Sequence, residues 1–200
     1  MDSERFQRVI AQLDQCNSAD PHRVDEGGER LPHELWYARR LTGWVLRLNP
    51  HASEWLQIAA RGQHVRRWTI PRDRYERNRK GYLRWRETLK AFHADEVGRV
   101  MREAGYEPGD VERVRRIILK KDLTADPDAQ TIEDALCLIF LEAQLADLRA
   151  KTPEPTMRDV IVKTWRKMSP QAREVALTLP LPADQQAWLR EVLSPAGPGG

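Results

Sequence analysis

An all-α fold follows from three features of the sequence. Apolar residues recur at helical spacing almost throughout the 200 residues, no β-branched alternating run interrupts them, and Pro, Gly and Asn-Pro breaks divide the pattern into helix-length segments. The 40% apolar and 32% charged fractions describe an ordinary soluble chain, long enough to bury a real core.

Phe6, Val9, Ile10, Leu13 and Cys16 mark a first helix, followed by a polar loop over residues 17–31 with Pro21 and Gly27-Gly28. Pro32 suits the start of a second helix, where its missing N–H costs little. That helix is expected over 33–48, with Leu35, Ala38, Leu41, Val45 and Leu48 on one face. Asn49-Pro50 stops it, and a third helix is expected over 52–68. An irregular stretch, 69–80, contains Pro71 and Asn78, and a long helix over 81–104 ends at Gly105. Asp110 reads as the N-cap of a helix over 111–121, which Asp126-Pro127 separates from the most apolar helix, 129–151. Three shorter helices, 156–168, 171–178 and 183–193, are divided by Ser169-Pro170 and Leu179-Pro180-Leu-Pro182. The expectation is a bundle of about eight or nine helices. Residues 1–178 would form one all-helical domain, 179–194 a C-terminal helical appendage and 195–200 a disordered tail.

No apolar run reaches the roughly 18 to 20 residues of a membrane span. The best run, Ala135-Leu-Cys-Leu-Ile-Phe-Leu141, is flanked by Glu133, Asp134 and Glu142 and reads as a buried helix. The opening Met-Asp-Ser-Glu-Arg-Phe lacks the basic-then-apolar order of a signal peptide. Cys16 and Cys137 sit far apart on apolar faces, as reduced core cysteines would. These features predict a cytoplasmic protein with no membrane partner; oligomeric state is left open.

Charge is strongly segregated. Residues 61–90 hold eleven Lys or Arg against three acids, a net +8 inside a chain of net +3. Such local excess builds an anion-binding surface. Trp68, Tyr75, Tyr82 and Trp85 interleave it, and arginines beside aromatic rings suit phosphate forks and base stacking. Arg66, Arg67 and Arg72, with Trp68, follow His64 directly and are the expected substrate contacts. The expected partner is an anionic small molecule or nucleotide, with nucleic acid as a further candidate.

Four predicted helices carry ligand-type side chains: His33-Glu34, His64, His93 and Glu133-Asp134. Imidazoles and carboxylates on separate helices can converge in a bundle and hold a divalent metal. The order resembles the HD-domain superfamily over residues 33–150. Glu34-Leu-Trp-Tyr-Ala38 resembles its first motif, Ile58-Ala-Ala-Arg-Gly-Gln-His64-Val65 the lead-in to its His-Asp doublet, and Phe92-His93-Ala-Asp a later histidine helix. Ile118-Leu-Lys-Lys-Asp stands in the place of another His-containing pair, and Glu133-Asp134 suits the last aspartate. Glu34 stands in the first histidine's place and Val65 in that of the doublet's aspartate.

The resemblance implies an HD-like helical bundle and a metal-dependent phosphohydrolase-like activity on a phosphorylated or nucleotide substrate. It implies Glu34, His64 and Asp134 as ligands of a divalent ion (Mn, Fe, Mg or Zn). His93, Lys120 and Lys121 would be the catalytic groups around the phosphate. Val65 and the two lysines equally suit a non-catalytic RNA- or nucleotide-binding module with a degenerate metal site.

A tighter resemblance covers nearly everything from residue 20 to 178. Glu34-Leu-x-Tyr-Ala-Arg-Arg40, Gln63-His-Val-Arg-Arg-Trp-x-Ile-Pro-Arg72, Gly81-Tyr-Leu-x-Trp-Arg86, Phe92-His-Ala94 and Glu133-Asp-x-x-Cys-Leu-x-Phe-Leu-Glu142 are similar to the family of domain of unknown function 4202. That family is uncharacterised, and some members carry a glutamyl-tRNA synthetase label. Lys167-Met168-Ser169 has the opening of a synthetase Lys-Met-Ser-Lys-Ser loop, but Pro170-Gln171 follow and no strand–helix alternation offers a nucleotide-binding sheet. The three residues read instead as a helix end and the next helix's N-cap, not as part of an aminoacyl-tRNA synthetase.

Overall fold

A computed structural model describes residues 4–121 and 125–194, so the expectation of a disordered tail at 195–200 lies outside the described residues. Among the described residues the chain is helical throughout except for one small hairpin. Contacts divide it into two compact units, Met1–Ile132 and Glu133–Gly200.

The first unit opens with α1 (Glu4–Ser18), whose Phe6, Val9 and Leu13 are buried. The stretch expected as a loop contains a hairpin instead, β1 (Arg23–Glu26) paired antiparallel with β2 (Glu29–Pro32), Val24 opposite Leu31. Neither strand is buried, so no hydrophobic alternation announces it. The signal is Gly27-Gly28, both at positive φ (58° and 90°), as a two-residue hairpin turn requires. Glu26 ties the hairpin to α2 (His33–Leu48) by accepting from Trp36 Nε1 at 2.7 Å and Arg40 at 2.8 Å.

α3 (Glu54–Gly62) starts at its cap Ser53, whose hydroxyl accepts the Leu56 N–H, and ends well before the expected Trp68. The cause is Arg66, which adopts a left-handed conformation (φ 53°) that no helix continues. Single helical turns follow at Arg67–Thr69 and Arg72–Arg74. α4 (Arg79–Glu103) is capped by Asn78, which accepts the Gly81 N–H at 2.8 Å. α5 (Pro108–Leu119) begins earlier than expected, with Pro at its first turn. Asp110 is therefore not its N-cap but lies inside that turn, accepting from Trp55 Nε1 at 3.0 Å. α3 packs on α1, α2, α4 and α5 around Leu13, Leu41, Leu56, Ile58, Val97, Met101 and Ile118.

α6 (Pro127–Ile139) carries the division between the units. The expected single helix over 129–151 is interrupted by one wide π turn, Phe140–Gln144, and resumes as α7 (Leu145–Lys151). No Pro or Gly marks that interruption in the sequence. The second unit continues with α8 (Glu154–Lys167), α9 (Pro170–Leu177) and α10 (Ala183–Leu193), with α7 and α10 both packed on α8. Met157, Ile161, Ala172, Trp188 and Leu189 are buried. Ser169 caps α9 by accepting the Ala172 N–H at 3.2 Å, as the Lys-Met-Ser reading expected. The interrupted apolar helix accounts for ten α-helices among the described residues where about eight or nine were expected.

Candidate metal and anion site

Glu34 organises a cluster in the first unit. It occupies the first turn of α2, a helix whose N-cap, Pro32, offers no side-chain acceptor. Asp20, fully buried, supplies one from the loop before the hairpin: its Oδ2 accepts the Glu34 N–H at 3.0 Å. Its Oδ1 accepts the His22 N–H at 3.0 Å and faces His22 Nδ1 at 2.8 Å. The hairpin thus returns the chain so that a residue fourteen positions upstream caps the helix that carries Glu34.

Two imidazoles flank the Glu34 carboxylate, His33 Nδ1 3.4 Å from Oε1 and His64 Nδ1 3.5 Å from Oε2. The second contact is too long to satisfy the oxygen, and Oε2 is buried without a hydrogen-bond partner. Burial pushes the carboxyl up, but His33 and His64 together outweigh it and hold Glu34 at about 2, ionised at neutral pH. The same contact with Glu34 raises His33.

His64 follows the end of α3, where the turn through Val65, whose N–H donates to the Gly62 carbonyl, redirects the chain. Its ring stacks on Tyr37 at 4.4 Å between centroids. Burial lowers its pKa, Glu34 opposes, and the charges of Arg67 and Lys120 push it down again, which leaves a neutral imidazole. His93, on α4, lies 5.9 Å away between ring centroids. Its Nδ1 is 2.9 Å from the Val65 carbonyl and so carries the hydrogen, leaving Nε2 as a bare acceptor. Nε2 is buried and has no partner. Burial first, then the repulsion a protonated His64 would exert and the charge of Arg67, depress this imidazole to about 3, so it too is neutral. Gly62 allows the approach of α3 to α4, because a methyl group there would overlap the Val97 side chain.

The expected site residues fall into two groups. Glu34, His64, His93, Arg67 and Lys120 come together in the first unit, the last two as the cations that act on His64. Lys120 closes α5 in a left-handed conformation (φ 53°), and the exposed Lys121 donates its N–H to the Arg116 carbonyl. Arg66 pairs with Glu96 at 3.1 Å, and Trp68, half-buried, sits in the turn with Arg67. Arg72 spends its guanidinium on the carbonyls of Tyr75, Glu76 and Asn78, bracing its own loop. Asp134 belongs to the second unit, where its carboxylate accepts the Ser169 N–H at 2.8 Å.

One group of metal-ligand side chains among the described residues, Asp20, His33 and Glu34, has donor atoms within 4.8 Å of one another and could hold a metal ion. Sequence reasoning missed Asp20 and named His33 beside Glu34 as a ligand-type side chain without giving it a role. The available signal was Gly27-Gly28, because a tight hairpin there returns the chain and brings residue 20 beside residue 34.

The profile of the family described as Domain of unknown function (DUF4202) matches residues 7–189. The chain belongs to that family. No curated protein and no solved structure gives a significant match. The match runs through the hairpin, α2, the turn after α3 and α4, so the whole cluster around Glu34 lies inside the family's domain.

Proposed function

We propose that the first unit is a divalent-metal-dependent phosphohydrolase-like enzyme acting on a phosphorylated or nucleotide substrate. One observation carries the reading: two buried acceptors of ligand type, Glu34 Oε2 and His93 Nε2, stand without hydrogen-bond partners beside His64, as does Gln63 Oε1 next to it in the chain. Buried polar atoms are otherwise almost always satisfied, and an orphaned pair of ligand type is what a metal would complete. The donor chemistry, one carboxylate and neutral imidazoles, suits Zn, Mn or Fe. The His93 Nδ1 contact to a backbone carbonyl is the orientation that metal-binding histidines adopt.

Glu34, His64 and His93 would hold the ion once their side chains draw together around it, since among the described residues the donor atoms already within 4.8 Å of one another are those of Asp20, His33 and Glu34. His93 takes the place expected for Asp134, one of whose oxygens already accepts from Ser169. When bound, the ion would polarise a phosphate ester and lower the pKa of a water. His33 keeps Glu34 ionised, and Tyr37 fixes the plane of His64 by stacking. Arg67, whose charge acts on Glu34, His64 and His93, would receive the phosphate, and Lys120 would add charge on the same side.

The test is to strip the purified protein with chelator and titrate Mn, Fe(II) and Zn. Thermal midpoint, bound metal and phosphate release from nucleotides and phosphomonoesters would be followed. The midpoint should rise with metal in the native protein but not in Glu34→Gln or His93→Gln, and His33→Ala should weaken binding about tenfold or more. Equal metal response in all variants would sink the reading. Val65 supports a second reading, a nucleotide- or RNA-binding module without hydrolysis, because a fully buried valine stands beside His64 where the HD pattern has a carboxylate. Nucleotide binding with no phosphate release would select it.

A further inference from the structure

The basic segment does not behave as an ordinary solvated face. Of its eleven cations, three are paired: Arg61 with Asp14, Arg66 with Glu96 and Lys90 with Glu87. The other eight make no ion pair among the described residues. Elsewhere the long cations commonly find carboxylates, as Arg99, Arg115 and Arg158 do. The unpaired ones are concentrated where the first turns of α4 stand almost entirely exposed. That first turn holds Arg79 and Lys80 and no acid, so two cations sit at the positive end of a helix, an arrangement unfavourable until an anion arrives.

Aromatic rings thread through these cations in a continuous track. Arg67 lies over Trp85 at 4.6 Å, Trp85 is 6.0 Å from Tyr82, and Arg86 and Arg72 approach the Tyr82 ring at 5.8 and 6.0 Å. Tyr82 is 42% exposed, so its ring has surface left for another partner. Trp85 is held by its Nε1 donating to the Ile70 carbonyl at 2.9 Å. Beyond Tyr82 the track opens into a depression lined by Arg72, Asp73, Arg77, Asn78 and Arg79. Because Arg72 donates to carbonyls rather than carboxylates, its charge stays uncompensated. At the other end, Arg67 is the cation at the edge of the Glu34 cluster.

We infer that this track is the seat of a single-stranded nucleic acid, running from the depression at Arg77 and Arg79 across Tyr82 to Arg67. A polyanion with a charge on every unit meets unpaired arginines, and an unstacked base meets the exposed Tyr82 ring. An acidic peptide would use the charges and leave the rings idle, and a duplex would keep its bases from Tyr82. Where the site at Glu34 is a phosphohydrolase, the strand end reaching Arg67 is its substrate. That substrate role rests on the phosphohydrolase reading; the docking itself does not.

Fluorescence anisotropy of labelled twelve-nucleotide oligo(U) and oligo(dT), with the full chain, tests it. Binding is expected to weaken with salt, log K falling by about 0.7 per neutralised phosphate per decade of salt. Tyr82→Ala should weaken it about fivefold or more, and Tyr82→Phe, which keeps the ring, should restore it. Arg77→Glu with Arg79→Glu should reduce both affinity and salt slope, while Lys163→Ala, exposed in the second unit, leaves affinity unchanged. Circular dichroism confirms that each variant folds. Unchanged affinity in Tyr82→Ala and in the double charge reversal would overturn the inference. So would equally tight binding of a duplex, or displacement by poly-glutamate as effective as by oligo(U). Binding that follows the track but is indifferent to Glu34→Gln supports the docking even if no phosphate is released.

Discussion

At His93 a single hydrogen bond to the Val65 carbonyl decides which ring nitrogen is free, and the burial around it decides that the ring stays neutral. Both facts have a consequence for pH. His93 is depressed from an ordinary 6.5 to about 3, so the unfolded chain binds a proton at this position that the folded protein refuses. Its stabilising contribution is complete above about 6.5 and is lost as pH falls toward 3. Glu34, depressed from 4.5 to about 2, acts with the same sign in a lower window. His33, raised by Glu34, acts with the opposite sign, stabilising below 6.5 and losing that as pH rises through its folded value. Urea unfolding of the metal-free protein should therefore show stability falling between pH 6 and 4, by up to about 1.4 kcal/mol per pH unit from His93. In His93→Gln that slope should be reduced by about one proton's worth; an unchanged slope would show that His93 is not the group responsible. At this scale the sequence displayed Glu34, His64 and His93 as candidates because they are ligand-type side chains whose order along the chain resembles the HD-domain pattern. Asp20 was invisible, since an aspartate in a polar stretch looks the same whether it caps a distant helix or faces solvent.

Among the elements, helix boundaries were less readable than helices. The third helix stops at Gly62 because Arg66 turns left-handed, its N–H held by Asn17 Oδ1 at 3.2 Å, and no residue type in Val65-Arg-Arg-Trp announces that. That early stop swings His64 toward Glu34 and puts Arg67 beside them. The approach of α3 to α4 depends on Gly62, whose missing side chain leaves room for the buried Val97. Gly62→Ala should cost about 1 to 3 kcal/mol by overpacking, measured by thermal or denaturant unfolding. It should also perturb metal binding, because it separates His64 from His93; Gly43→Ala, in α2 with open space around it, is the matched control. The hairpin shows the opposite case: its strands carry no apolar pattern, yet Gly27-Gly28 specifies the turn locally, so it was readable in principle and overlooked. The π turn at Phe140–Gln144 has no such local sign.

For the molecule as a whole, charge placement outweighs net charge. A chain of +3 with +8 inside one segment should be retained on a phosphate-bearing cation exchanger by that segment. Arg79→Glu with Lys80→Glu should elute at clearly lower salt, whereas Lys151→Glu with Arg166→Glu, the same change in net charge from exposed residues of the second unit, should shift elution little. Equal shifts would mean that total charge alone governs the interaction. Among the described residues no helix is long and apolar enough to cross a membrane. By itself the sequence determined the all-helical class and the segregation of charge, because periodicity, breakers and residue charge are local properties that neighbours reveal. Only the tertiary structure decided which ligand-type residues share a site. Asp20, Glu34, His64 and His93 stand on a loop, a helix start, a turn and a helix centre. What joins them is a hairpin, one left-handed residue and a glycine contact, long-range closures that no spacing along the chain records.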